Sequence, residues 1–158
     1  MRPFRPEYLD AIVAVNDAAF GGADEGRITR ALHADGDSVL SFVAASDTEI
    51  VGHIEFFRIR IDGAPVAVGL GPMSVLPEVQ QAGVGSRLIR LGLQALEGAG
   101  ERIVFVLGHT AYYPKFGFSE AATSPFRAPW SGPHFMALRL APGGPETGAL
   151  TYPKAFGS

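Results

Sequence analysis

The stretch LGPMSVLPEVQQAGVGSRLIR, residues 70–90, decides how the rest of the chain reads. It begins as an apolar strand, passes through Pro77 and a turn bearing Gly83 and Gly85, and then takes up helical spacing at Val84, Leu88, Leu91 and Leu96. A strand, a glycine turn and a helix in that order aim several backbone N–H groups and the positive end of the helix at one spot. Such a spot is suited to an anion, most often a phosphate. Within the strand, Pro72 cannot donate to a ladder, and Gly69 and Gly71 weaken the pairing further. A bulge is therefore expected at Gly71-Pro72, with the strand parting from its parallel neighbour beyond it and leaving backbone groups for a ligand to occupy.

The chain around this stretch has 158 residues, 47% of them hydrophobic and 18% charged, which suits one ordinary globular domain with its own core. A net charge of -3 and 13 scattered Lys and Arg residues give no electrostatic footprint for nucleic acid. There is no cysteine, so disulfides, thiolate metal sites and a cysteine nucleophile are excluded, and a reducing compartment fits. Neither a signal-peptide pattern nor an apolar run of the ~18 residues needed for a membrane span is present, so a soluble cytoplasmic protein is expected.

Before the central stretch, Pro3 and Pro6 confine the first residues to extended backbone, at best a short strand. Leu9, Ile12, Val13, Val15 and Phe20 follow helical spacing up to Gly21-Gly22, and a shorter helix is expected from about Glu25 to Ala34. The period then changes, predicting an antiparallel meander over Val39–Ala45, Ile50–Ile61 and Val66–Leu76. After a central helix over Leu88–Leu96, the apolar run Ile103–Leu107 reads as a buried strand parallel to its neighbour across the helix. Thr110–Lys115 has room for a turn or two of helix, Phe135–Leu140 reads as a last strand, and 142–158 as coil from which Tyr152 and Phe156 pack back. The expectation is a single domain over 1–158 of the α/β class, in detail an α+β arrangement: a mixed, mostly antiparallel sheet of six to seven strands with about four helices.

Two blocks within this pattern resemble a known family. Gln80-Gln81-Ala82-Gly83-Val84-Gly85, after Met73-Ser74-Val75-Leu76-Pro77-Glu78 and before Ser86-Arg87-Leu88, resembles the acetyl-CoA-binding motif of the GCN5-related N-acetyltransferases (GNAT). Tyr113-Pro114-Lys115-Phe116-Gly117-Phe118 resembles the family's second block, on the short helix after the fifth strand. GHTAYYPKFGF with FMALRL further resembles the YhbS-like branch. The resemblance covers nearly the whole chain and implies the GNAT acyl-CoA N-acyltransferase fold, with acetyl-CoA as co-substrate.

Residue by residue, the resemblance and the chemistry imply the following site. Backbone N–H groups of Gln81, Ala82, Gly83, Val84, Gly85 and Ser86 hold the pyrophosphate, with glycines at 83 and 85 allowing close approach and Gln80 opening the cofactor-binding motif. Arg87 adds a positive charge or is a solvated helix residue, and both readings stay open. The backbone of Met73, Ser74 and Val75 pairs with the pantetheine arm, and the Val75 amide polarises the thioester carbonyl. The family's tyrosine position makes Tyr113 the acid that protonates the departing thiolate, a role its ordinary pKa of about 10 permits. Tyr112 aligns with an apolar position and is expected in the core. For the general base, Glu55 shares one strand face with His53, Phe57 and Ile59; a rim residue or a salt bridge to Arg58 or Arg60 is the alternative. His109 and His134 are weaker candidates, and four scattered histidines imply no metal.

The expected function is acetyl transfer from acetyl-CoA to a primary amine of a small molecule or protein, by direct attack in a ternary complex. A regulatory or sensor module that binds acyl-CoA without turnover is the rival. The expected partners are acetyl-CoA and an amine acceptor, with no nucleic acid or membrane, and a homodimer is left open.

Overall fold

The computed structural model describes residues 1–157; the side chain of Gln81 and the whole of Ser158 lie outside the described residues. Eight strands and three α-helices alternate along it. The strands are β1 (Arg2–Pro3), β2 (Ser38–Ala45), β3 (Ile50–Ile61), β4 (Ala64–Val75), β5 (Ile103–Leu107), β6 (Phe126–Arg127), β7 (Phe135–Arg139) and β8 (Gly148–Thr151). The helices are α1 (Leu9–Phe20), α2 (Asp24–Ala34) and α3 (Val84–Gly98). Strand order is β1-β2-β3-β4-β5-β7, antiparallel except for the β4–β5 pair, which α3 connects as a crossover. Near the far end of β3, β8 pairs with Arg60 and Ile61 and also holds β6 in parallel.

The α+β class with a mixed, mostly antiparallel sheet matches the expectation, and the differences are local. A fourth helix does not form: Pro114 and the left-handed Gly117 bracket a single 3-10 turn, Tyr113–Phe116, too short for an α-helix. Residues 142–158 are more than coil, because Gly148–Thr151 completes a strand and Lys154–Phe156 a 3-10 turn. The central helix starts at Val84, immediately after the left-handed Gly83, rather than at Leu88.

Strand alternation builds two cores, one on each face of the sheet. Even-numbered residues of β3, Ile54 and Phe56, face α3 and pack with Leu88, Ile89 and Leu96. Odd-numbered Phe57, Ile59 and Ile61 face α2 and the C-terminal segment, packing with Leu32, Phe126 and Leu150. Phe56 lies so close to α3 that a Cβ on Gly92 would stand 2.3 Å from its ring. Arg58, at the end of the α3 face, makes a two-pronged bond to Glu101 at 3.0 and 2.8 Å, so it is not the partner of Glu55.

That partner is a buried polar network holding α1 and α2 to the sheet. The Glu55 carboxylate, fully enclosed, accepts from His33 Nε2 and His53 Nε2, each at 2.9 Å, and from the Ser38 hydroxyl. Asn16 uses both amide hydrogens, one to the Ile12 carbonyl at 2.9 Å and one to His53 Nδ1 at 3.1 Å. A ring nitrogen that accepts carries no proton, so this arrangement assigns His53 as the neutral tautomer with its hydrogen on Nε2, aimed at Glu55. His33 stacks on Phe4 with ring centroids 4.0 Å apart, closing the outer end.

Burial alone would raise the Glu55 pKa; the hydrogen bonds it accepts from His33 and His53 outweigh that and hold the carboxyl below its ordinary 4.5. A carboxyl depressed by folding adds stability that is present above the unfolded pKa and lost as pH falls through the folded one. Urea melts between pH 7 and 3 are expected to show a stability loss below 4.5 that is shallower in Glu55→Gln. That variant should already be weaker at pH 7 by about 1.5–3 kcal/mol; equal slopes would remove the network from the stability balance. In the same assay Gly92→Ala should cost about 1–3 kcal/mol by overpacking against Phe56. Gly98→Ala, with no atom within 4 Å of its new Cβ, should be neutral or gain up to about 1 kcal/mol. A tolerated Gly92→Ala would contradict the close packing of α3.

Candidate active site

The parallel ladder between β4 and β5 ends at the Leu70–Val106 pair, while β4 runs on beside β3 to Val75. At this point Gly71 and Pro72 together stand opposite the single residue Glu55, and Gly71 has φ +148°, a conformation glycine adopts without strain. The bulge shifts the alternation by one. Val68 and Leu70 face α3 before it, and Met73 and Val75 face α3 after it, so Ser74 turns to the α1 side opposite His53.

Backbone direction beyond the bulge follows from one hydrogen bond. Leu76 N–H donates to the Val51 carbonyl of β3 at 2.8 Å. Amides of successive strand residues point to opposite sides, so Val75 N–H points away from β3, into the gap beside β5. The Val75 carbonyl shares that direction and is capped by Gln80 Nε2 at 3.1 Å. The Gln80 side chain therefore fixes the strand end, and only its backbone remains for a ligand.

Across the gap stands the start of α3. Gly83, at φ +80°, has no side chain with which to cap the helix, and among the described residues no side-chain acceptor meets the N–H groups of Val84, Gly85 and Ser86. Gly85 is buried against the Met73 thioether and the Tyr112 hydroxyl, which a Cβ would approach to 3.3 and 3.2 Å. Tyr112 packs its ring against the core as expected, partly buried beside Tyr113 and Phe116, and also extends its hydroxyl to Ser86 Oγ at 3.1 Å. Its ring lies under the Lys115 ammonium at 4.4 Å. Arg87 and Ala82 are exposed and lie outside the cleft lining; Gln81 was expected to offer its backbone N–H, and its side chain lies outside the described residues.

The gap is one cleft of about 830 Å³ that passes through the sheet from the α3 face to the α1–α2 face. Met73, Ser74, Val75, Gly83, Gly85 and Ser86 line it, as do Tyr112 and Tyr113. Tyr113 is buried against Gly108 and Phe118, and burial first, then the neighbouring Tyr112, push its hydroxyl up to about 12. It stays protonated at neutral pH. The loop that carries it is tied to β7 by reciprocal bonds between Gly108 and His134: Gly108 N–H to the His134 carbonyl at 2.9 Å, and His134 Nδ1 to the Gly108 carbonyl at 3.0 Å. His134 is thus engaged structurally, whereas His109 stands at the cleft wall.

Glu55 and His53 do not line the cleft. Ser74, which does line it, stands opposite His53 in the β3–β4 register, and its buried Oγ has no partner among the described residues. Ser74 was expected at the site through its backbone, with no role for its side chain, and the sequence missed the aromatic wall at the α1–α2 side, where Phe57, Trp130, Tyr152 and Phe156 meet. Only the expectation that Tyr152 and Phe156 pack back pointed to it. Among the described residues no three His, Cys, Asp or Glu side chains gather into a metal-binding group, and no helix is long and apolar enough to cross a membrane.

Comparison with known proteins agrees with this geometry. Residues 37–120 match the model of the acetyltransferase (GNAT) domain. The uncharacterized N-acetyltransferase YjhQ of Escherichia coli is 41% identical over 68% of the chain, a match spanning 62% of YjhQ itself. The uncharacterized N-acetyltransferase YhbS of E. coli is 30% identical over 88% of the chain and 84% of its own length. The crystal structure of E. coli YhbS in complex with CoA superimposes with a TM-score of 0.90, covering 99% of this chain and 91% of that one at 29% identity. A GNAT family acetyltransferase from Brucella melitensis in complex with acetyl-CoA gives 0.84, over 98% and 96%, at 38% identity. A splayed β4–β5 pair, an uncapped helix start across from it and these matches together make the chain a member of the GNAT acetyltransferase family.

Proposed function

We propose that the chain, acting as one domain over 1–158, transfers the acetyl group of acetyl-CoA to a primary amine by direct attack in a ternary complex. The observation that carries this reading is the gap between β4 and β5, with the Val75 N–H and the start of α3, which no described side chain caps, on its walls. The pyrophosphate of the co-substrate suits the amides of Gly83 to Ser86, where the helix dipole and the open N–H groups coincide. The pantetheine arm would lie beside Met73 to Val75 as a substitute strand. Relatives of this fold hold CoA and acetyl-CoA, which supports the same ligand here.

In the reaction the amine nitrogen lone pair attacks the thioester carbonyl carbon, a C–N bond forms, and negative charge develops on the carbonyl oxygen. The Val75 N–H is the donor we assign to that oxygen. As the tetrahedral intermediate collapses, the C–S bond breaks and the thiolate takes a proton from the Tyr113 hydroxyl, which its raised pKa keeps available. The extra proton on the nitrogen passes to the Tyr113 phenolate and restores its hydroxyl, so the amide and the free thiol are the products. Glu55, a carboxylate held down by the hydrogen bonds it accepts and separated from the cleft by His53 and Ser74, acts as a positioning residue that fixes this part of β3 and does not touch the amine.

Tyr113→Phe is expected to lower kcat by roughly a hundredfold or more while leaving the acetyl-CoA Kd unchanged; an unaltered kcat in thiol-release assays would remove Tyr113 as the acid. The Gly83 turn can be tested by charge at constant shape, because both Asn and Asp tolerate a left-handed backbone. Gly83→Asp should weaken acetyl-CoA binding in calorimetry by at least about tenfold relative to Gly83→Asn. Equal affinities would mean that no anion sits there. Tight binding without thiol release to any amine would favour a sensor in place of an enzyme.

A further inference from the structure

Beyond the acetyl-CoA cleft, the α1–α2 end of the same cavity has a chemistry of its own. Phe57, Trp130, Tyr152 and Phe156 form a continuous aromatic wall, with ring centroids 4.5 Å apart for Phe57–Phe156 and for Trp130–Tyr152, and 5.7 Å for Phe57–Tyr152. Its polar tips are turned on each other: Trp130 Nε1 donates to the Tyr152 hydroxyl at 3.3 Å. The faces left for a ligand are carbon. Two of the chain's exposed large apolar side chains, Phe20 and Leu107, 48% and 53% exposed, stand at the mouth of this cavity.

Charge in the lining is one-sided. Glu25, at the start of α2, is the one carboxylate among the described lining residues, and no lysine or arginine is present there. Burial holds the Tyr152 hydroxyl up at about 12, so the wall carries no anion of its own at neutral pH. At the aromatic wall an acceptor bearing a carboxylate or phosphate would meet ring faces and Glu25, with no lysine or arginine to neutralise it; the one imidazole of the lining, His109, is carried by the Tyr113 loop. A cation would be drawn by both, since the π faces and the carboxylate attract an ammonium group. A polyamine would find a partner for one charge only.

Resting on the acetyltransferase reading, we propose that the acceptor is an arylalkylamine: a primary amine on an aromatic body without an anionic group, its ring against the Phe57–Trp130–Tyr152–Phe156 wall and its nitrogen toward Val75 and Tyr113. Glu25 guides the ammonium form inward before it loses its proton. The wall sets which amine is taken, and the gap between β4 and β5 sets what is done to it.

The test is thiol release from acetyl-CoA with phenethylamine and tryptamine, against phenylalanine, tryptophan, spermidine and a peptide with a free N-terminus. The two arylalkylamines are expected to exceed each of the others in kcat/KM by roughly a hundredfold, the range in which an uncompensated charge is refused. Trp130→Ala should raise the tryptamine KM about tenfold with the acetyl-CoA KM unchanged, and Trp130→Phe should restore most of it. Glu25→Gln, on a half-exposed helix start, gives a second reading that does not depend on the wall folding and should raise the same KM severalfold. Equal or better use of the amino acids, spermidine or the peptide overturns the inference, as does a tryptamine KM unmoved by both Trp130→Ala and Glu25→Gln. If no amine releases thiol, calorimetry of tryptamine with the CoA-loaded protein separates the two readings. Binding there supports the acceptor class while the transfer reading falls, and its absence overturns the acceptor class.

Discussion

A parallel pair of strands stays together only while both backbones can keep exchanging hydrogen bonds, and here that exchange stops at Leu70 and Val106. Pro72 has no N–H to offer, and Gly71 takes a backbone conformation that other residues avoid, so β4 bends toward β3 and leaves β5 behind. Everything functional in the fold is arranged around this parting. It creates the cleft, turns Val75 N–H into it, reverses which residues face α3, and brings the start of α3 opposite the Tyr113 loop. A sheet fully paired across these two strands would have the same core and no place for a ligand.

The two faces of the sheet then divide the work. Behind the α3 face the core is apolar and close-packed, which fixes the angle at which α3 presents its first amides. The opposite face contains the enclosed chain Asn16–His53–Glu55–His33, an arrangement whose single carboxylate accepts three hydrogen bonds. Buried charge is tolerated only when its partners are in place, so this network ties the positions of α1 and α2 to one register of β3. The aromatic wall rests on those helices and on the C-terminal segment, and its shape depends on that register.

Much of this was legible in residues 70–90, because proline and glycine act locally: the bulge, the glycine turn and the helix start are all dictated by backbone chemistry within a few positions. The meander and the parallel pair were legible for a similar reason, since period-two runs bounded by Asp62-Gly63 and Gly98 to Gly100 have few other solutions. The short β8 was not, because GALT at 148–151 has no period to read and is a strand only through the end of β3 that it meets. Alternation put Glu55 and His53 on one face correctly, yet it could not supply His33 and Asn16, which arrive from two helices. Tyr112 was half legible. An aromatic residue in an apolar slot reads as core, and its ring does pack there, but the contact of its hydroxyl with Ser86 depends on a helix that local pattern does not place.

The margins of the sheet have a consequence of a different kind. At one side β1 is two residues long, ends on Pro3 and is followed by Pro6, with Phe4 N–H already bonded to the Ser41 carbonyl. At the other, β7 is met by Ser119, which exchanges both of its backbone bonds with Ala137. Neither border offers a row of free donors and acceptors, and proline and arginine occupy what remains. The molecule is thereby protected against templating a second copy of itself strand to strand, a safeguard that matters for a fold whose working cleft is itself an interrupted ladder.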